Sequence, residues 1–283
     1  MLTRWFEANR CLSWVPCCSD DGKNIPVEKL PQATPMPPPV KMSSSRSEPV
    51  ADGPPPVRLP NGMVYTGEWK GDKQHGRGVM TRPDGSRYEG QFQLGSASGY
   101  GKWVQQNGEV YEGQWVDNKV HGYGKLVHSD GSIYEGEWHH DMKSGRGKET
   151  WLDGSSFNGV YKQGRKNGLG LFVSADNSTF EGQFVEDMIQ GEGTYHFADG
   201  REYAGEWKSS KMDGNGKMQW PDGRWYEGQY SEDQKHGQGT FAWPDGRSYT
   251  GQWQEGKQHG NGTFADQHGN MRKGEWVDGR RVR

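Results

Sequence analysis

The chain has 283 residues, 34 Lys and Arg against 37 Asp and Glu, a net charge of −3, and 44 Gly. This balance gives no overall basic footprint and argues against a nucleic-acid partner. Three Cys, all before residue 20, argue against a disulfide framework and for the cytosol, and no apolar run approaches the ~18 residues of a membrane span.

In residues 1–18, Leu2, Trp5, Phe6 and Leu12 fall near helical spacing, Pro16 ends the run, and Cys17 and Cys18 follow at once. An amphipathic segment beside paired cysteines suits reversible palmitoylation, because weak helix partitioning is made stable by added acyl chains. Cys11 is a third candidate acceptor, and Leu2 in place of glycine rules out myristoylation. The expectation is peripheral attachment to a cytosolic membrane surface, with a plain tail carrying free thiols as the alternative. Residues 19–60 hold eleven of the 15 Pro and a Ser43–Ser45 run, the composition of a disordered linker.

From residue 61 to 279 the chain is periodic. Tyr65, Tyr88, Tyr111, Tyr134, Phe157, Phe180, Tyr203, Tyr226 and Tyr249 are 23 residues apart. Two residues after each comes Gly, and four residues after comes a ring: Trp69, Phe92, Trp115, Trp138, Tyr161, Phe184, Trp207, Tyr230 and Trp253. Each unit continues with Gly-x-Gly, as in Gly76 and Gly78, and most close on a turn such as Pro83-Asp84-Gly85. The period of two in Tyr65-Thr66-Gly67-Glu68-Trp69 places Tyr, Gly and Trp on one face of a strand. The second strand alternates likewise, with Met80 and its equivalents Trp103, Leu126, Phe172, Tyr195, Met218, Phe241 and Phe264 on that face and Glu149 as the exception. A ring can lie flat over a residue with no Cβ, which explains the pairing of bulky and absent side chains.

The pattern resembles the membrane occupation and recognition nexus (MORN) repeat family over roughly residues 61 to 279. The resulting expectation is an all-β, elongated, twisted single-sheet array of about ten stacked β-hairpins with a period of 23, preceded by a disordered N-terminal leader and followed by a basic tail at 280–283. At ~4.8 Å per strand the array spans on the order of 90 Å. A two-stranded hairpin cannot bury its apolar face alone, so neighbouring units must stack. Function then comes from an extended surface, not from an enclosed pocket. No enzyme activity and no cofactor are expected.

Two surfaces are candidates for partners. The first is the ring face, with Tyr65, Trp69, Tyr88, Tyr111, Trp115, Tyr134, Trp138, Tyr203, Trp207, Tyr226, Tyr249 and Trp253, along which a helix or extended peptide could lie; that mode is what the resemblance implies. The second is an apolar spot on the otherwise polar face, where Val160 replaces Glu or Gln and Leu169 and Leu171 replace polar residues. It suits a partner, the leader's own helix, or a second copy in a homodimer. Lys102, Lys125 and Lys148 face Glu89, Glu112 and Glu135, which predicts cross-strand ion pairs and not lipid capture. The tip lysines Lys73, Lys119, Lys143 and Lys257 have acidic neighbours as well.

His75, His121, His236 and His259 precede the Gly-x-Gly and suggest a metal ladder. Residues one unit apart lie two strands, about 10 Å, from each other, too far to share an ion held at ~2.1 Å. The chain reads as a protein-binding scaffold held at a cytosolic membrane, with a cytoskeletal or ciliary component, as in the axonemal radial-spoke relatives, and an enzyme's accessory subunit as alternatives.

Overall fold

The computed structural model describes residues 54–283. All regular structure among them is β, and the chain divides into two compact units, one ending at Lys211 and the other beginning at Met212. In the first, seven-residue strands alternate with nine-residue strands: Val64–Lys70 then Lys73–Thr81, Arg87–Gln93 then Ser96–Val104, Val110–Val116 then Lys119–Val127, Ile133–His139 then Met142–Thr150, Ser156–Lys162 then Arg165–Val173, Thr179–Val185 then Met188–His196, and Glu202–Lys208. A two-residue strand, Val57–Arg58, pairs with Val64–Lys70. The second unit continues the alternation through Trp225–Ser231, Gln234–Ala242, Ser248–Gln254, Lys257–Ala265 and Met271–Val277. Within each unit every strand pairs antiparallel with its neighbours in sequence.

Two kinds of turn produce this order. Short-to-long connections are two residues long, and both residues often have positive φ, as at Asp117 (47°) and Asn118 (64°) or His140 (47°) and Asp141 (68°). This backbone twist matches that of the flanking strands. The residue at the second position also reaches the preceding repeat: Asn118 Oδ1 accepts from Ala97 N at 2.8 Å, and Asp141 Oδ1 accepts from Val120 N at 2.8 Å. Long-to-short connections are the Asp-Gly-Ser type, where Asp84 Oδ1 accepts both the N–H (2.9 Å) and the hydroxyl (2.6 Å) of Ser86. Those bonds hold the Asp84 carboxyl below the usual carboxylate range. Asn177, in place of the turn glycine, adopts φ 67°, a conformation Asn tolerates.

Each hairpin carries a bulge that the alternation alone does not predict. Gly67 opposes Gly78 and Trp69 opposes Gln74, so His75, Gly76 and Arg77 together face Glu68. Gly76 takes φ 64° there, and the Arg77 N–H freed by the bulge donates to Glu68 Oε1 at 3.0 Å. The same bond recurs from Tyr100 N to Gln91 (2.9 Å), Tyr123 N to Gln114 (2.8 Å) and Arg146 N to Glu137 (2.9 Å). Glu or Gln is therefore needed at this position as a backbone acceptor. Val160 offers no acceptor for Leu169 N. Gln114→Leu should cost about 1 kcal/mol, and Val160→Gln should recover up to about that much. Thermal unfolding of the two variants checks this: the midpoint should fall in the first and rise in the second.

The basic residues at the C-terminus join the sheet. Arg280–Arg281 forms a short strand against Met271–Val277, and Arg281 Nη2 donates to Lys273 O at 2.9 Å. The charge row differs from expectation. Glu89, Glu112 and Glu135 do face Lys102, Lys125 and Lys148 in register. Their carboxylates, however, are engaged elsewhere: Glu89 with Arg87 at 2.8 Å, Glu112 with the Tyr100 hydroxyl at 2.9 Å, and Glu135 with the Tyr123 hydroxyl at 3.1 Å. Arg and Tyr side chains along or diagonal to the strand reach these oxygens, which register alone does not reveal.

Candidate partner-binding surface

The rings at the second and sixth positions of the short strands form a continuous edge-to-face series in each unit. Tyr65 meets Trp69 and Phe92 with centroids 5.1 Å apart, Tyr88 meets Phe92 and Trp115, and Tyr111 meets Trp115 and Trp138. Tyr134 meets Trp138 at 5.0 Å and Tyr161 at 5.2 Å, and the series continues through Phe157, Phe184 and Phe180 to Trp207, which also meets Tyr203. In the second unit Tyr226, Trp253, Tyr249 and Trp276 continue the same zigzag. Perpendicular rings place a positive edge on a negative face, worth about 0.5–1.5 kcal/mol per pair beyond burial.

Polar bonds fix the rings in place. Each tyrosine that opens the Tyr-x-Gly motif donates its hydroxyl to the carbonyl three residues on, as from Tyr65 to Glu68 O (2.8 Å) and from Tyr134 to Glu137 O (2.9 Å). Trp115 Nε1 donates to Gly101 O at 3.1 Å, and Trp138 Nε1 to Gly124 O at 3.2 Å. Tyr65, Tyr134, Tyr203, Tyr226 and Tyr249 are fully buried, and Tyr88, Tyr111, Trp115, Trp138, Trp207 and Trp253 nearly so. Trp69, at 36% exposure, is the open member. The second and sixth positions of the short strands thus build the interior of the array.

Burial raises the pKa values of Tyr65, Tyr134, Tyr226 and Tyr249, to about 12 for Tyr249 and further for Tyr134. A group whose folded pKa lies above its unfolded value contributes stability that is complete below the unfolded value, near pH 10, and is lost as pH rises through the folded one. Stability should hold to about pH 10 and fall steeply above it, measured as the thermal midpoint against pH, with tyrosinate absorbance rising at unfolding and not before.

What remains accessible in the first unit is the ring row of the long strands and the loop residues that follow, whereas Phe241 in the second unit is buried. Trp103, Trp151, Phe172, Tyr195 and Phe197 are all half-buried, with Tyr195 and Phe197 at 4.5 Å and Trp151 and Phe172 at 6.2 Å. Cations flank them: the Arg82 guanidinium lies 4.4 Å from the Trp103 centroid, and Arg201 lies 4.4 Å from Phe197. In the second unit Trp243, Phe264, Trp276, Arg272 and Arg281 line an open groove of about 360 Å³.

Glu149, the exception in this row, is buried. Lys143 Nζ pairs with its Oε1 at 2.5 Å, and the Tyr161 hydroxyl donates to its Oε2 at 2.9 Å. Lys143 therefore folds inward over the Tyr134 ring, 4.8 Å from its centroid, and does not pair with its acidic neighbour in the turn. The sequence carried a trace of this: Tyr161 stands where several other units carry Trp, and only Tyr has a hydroxyl for the carboxylate. Lys166 is buried over Trp151 and Phe157, and burial lowers its pKa.

On the opposite face Leu169 and Leu171 are 41% and 39% exposed, with Val160 half-buried on the neighbouring strand. Leu171 opposes Asn158 on one side and Glu181 on the other, while Leu169 opposes Gln183. The candidate acylation sites Cys11, Cys17 and Cys18 lie outside the described residues. No helix among the described residues is long and apolar enough to cross a membrane.

No curated protein matches the sequence. Among solved structures, similarity extends to the TCP10 domain of Danio rerio CPAP, with 13% identity over 78% of this chain and 100% of that one and a TM-score of 0.40. The Drosophila melanogaster SAS-4 (dCPAP) TCP domain, solved with a proline-rich motif of Ana2, shares 11% identity over 71% of this chain and 99% of that one, with a TM-score of 0.36. A virginiamycin B lyase from Staphylococcus aureus shares 9% identity over 78% and 83%, with a TM-score of 0.15. The MORN repeat model matches nine consecutive segments, residues 65–87, 88–110, 111–133, 134–156, 157–179, 180–200, 203–223, 226–246 and 249–270. The next unit keeps Gly274 and Trp276 but has Arg272 in the aromatic position, and its second strand is the two-residue Arg280–Arg281. The chain belongs to the MORN repeat family.

Proposed function

We propose that this protein is a non-enzymatic scaffold that binds protein partners along its β-array and holds them at a cytosolic membrane through its N-terminus. The observation that carries the first half is the division of its rings into two rows. In the first unit the short-strand rings other than Trp69 are buried, while Trp103, Phe172 and Tyr195 on the long strands and Trp151 and Phe197 just after them stay half-exposed, with cations over Trp103 and Phe197. Half-exposed aromatics on a rigid backbone anchor a partner at low entropic cost. A helix or extended peptide is the matching ligand shape. The Leu169 and Leu171 patch is a second docking surface, open to a partner or to another copy of the chain.

The second half rests on the sequence of residues 1–18. Membrane fractionation of the intact protein beside a Cys11, Cys17 and Cys18→Ser triple variant tests it, with hydroxylamine-sensitive acylation read on both. An acylated wild type that pellets with membrane and a variant that becomes soluble support the reading. Two soluble proteins, or two that follow detergent-resistant cytoskeleton, favour a cytoskeletal or ciliary component. For the array, Leu171→Glu should weaken association with partners co-purified by the wild type, and unchanged association removes that patch from the account.

A further inference from the structure

We propose that His121, His139 and His140 form a site for a divalent transition-metal ion, with zinc the favoured occupant, at the seam between the third and fourth repeats. One ligand nitrogen from each of the three rings lies within 4.8 Å of the others. The ring centroids are 5.2 Å apart from His121 to His139 and to His140, and 4.3 Å between the latter two. The distance that forbids a metal ladder between units does not apply, because these residues come from adjacent strands.

The backbone fixes their approach. His121 sits in the bulge just before Gly122, which has φ 65° and pairs with Trp138, the residue before His139. His139 ends its strand and His140 opens the two-residue turn. Asp141 then clamps that turn to the strand carrying His121, accepting from Val120 N at 2.8 Å through Oδ1 and donating its own N–H to Val120 O at 3.0 Å. Nδ1 of His121 is buried and has no hydrogen-bond partner. No internal bond therefore fixes that nitrogen, which leaves the tautomer and orientation of the ring to a ligand.

A tetrahedral zinc ion with bonds of ~2.05 Å separates its nitrogens by about 3.3 Å. His139 and His140 are exposed, so side-chain rotation closes the remaining distance without moving the sheet. Three neutral imidazoles suit zinc, copper and nickel and do not suit magnesium or calcium, which require oxygen donors. A fourth position stays open for water or an external donor. The ion would bridge two repeats at the edge where no turn joins them, the Ser129–Gly131 connection lying at the far end of the same strands.

The test is calorimetric titration of the untagged full chain with zinc at neutral pH, beside H121Q and H140Q. The expected result is one ion per chain in the wild type, at least about tenfold weaker binding in each variant, and a thermal midpoint raised by zinc in the wild type alone. Equal metal-free midpoints show that the variants fold. Cobalt absorbance separates the histidines from the N-terminal cysteines: a spectrum lacking the thiolate charge-transfer band and lost in both variants supports the site. A retained thiolate band, equal zinc affinity in wild type and variants, or no zinc uptake by the wild type overturns it.

Discussion

Gly113→Val should destabilise the protein by about 3 kcal/mol or more, the steepest loss expected of any single change at an apparently featureless position. Gly113 has ordinary backbone angles, so the effect is steric. A Cβ there would lie 2.5 Å from Gly124 Cα, 2.5 Å from the Tyr111 hydroxyl and 2.7 Å from Tyr123 O. Two of these three neighbours are backbone atoms of the paired strand and cannot rotate away. The third is a ring that is itself buried against Trp115 and Trp138. Gly124, its cross-strand partner, is the same kind of site, with the Tyr111 hydroxyl 2.2 Å from its notional Cβ. Gly108 is the control. It has φ 87° and nothing within 4 Å, so Gly108→Ala should cost only the ~1–2 kcal/mol of a left-handed alanine. Denaturant unfolding of the three variants should rank Gly113→Val and Gly124→Val well below Gly108→Ala. Equal losses would mean that conformational freedom, and not the space taken by a ring, is why these glycines are present.

The second large effect belongs to Tyr134. It is fully buried, edge-on to Trp138 and Tyr161, and covered by Lys143. Tyr134→Ala removes the ring and opens a cavity that the rigid neighbouring strands cannot fill, at a cost of about 3–5 kcal/mol. Tyr134→Phe keeps the ring and loses only the bond to Glu137 O, so it should cost about 1 kcal/mol. Phe157 and Phe180 hold the same position in later repeats and are equally buried, which shows that the ring series tolerates the missing hydroxyl. Equilibrium unfolding should separate the two variants clearly. Similar losses would place the stabilisation in the hydrogen bond and not in the ring contacts.

Much of the fold is legible in the sequence because each unit repeats a rule that is local. Strand alternation puts Tyr111, Gly113 and Trp115 on one face, and the Asp-Gly turns set the reversals. The bulge at Gly76 is less legible, because alternation runs smoothly through it; its signal is the acidic or amide residue before the second ring, a backbone acceptor that resembles ordinary surface polarity until the register is known. The ring face was legible as a face but not as two rows. Which rings are buried depends on contacts between consecutive repeats, with Tyr88 closed off by Trp115 of the next unit. Lys143 and Glu149 left only the trace at Tyr161 for a similar reason: a charge pair buried between rings requires knowing that Tyr161 points at it. The histidine cluster was obscured by position, since His121 occupies a site that accepts many polar residues and its partners come from the following repeat's turn.

Partner binding along the array requires a separation between a buried ring series that builds it and a half-exposed ring row left for partners. Hydroxyl-radical footprinting of the intact protein, read residue by residue by mass spectrometry, measures that separation directly. Trp103, Trp151 and Phe172 should oxidise readily while Tyr65, Tyr134 and Trp138 stay protected until the protein unfolds. Comparable oxidation of both rows in the folded protein would contradict the division on which the proposed binding surface depends.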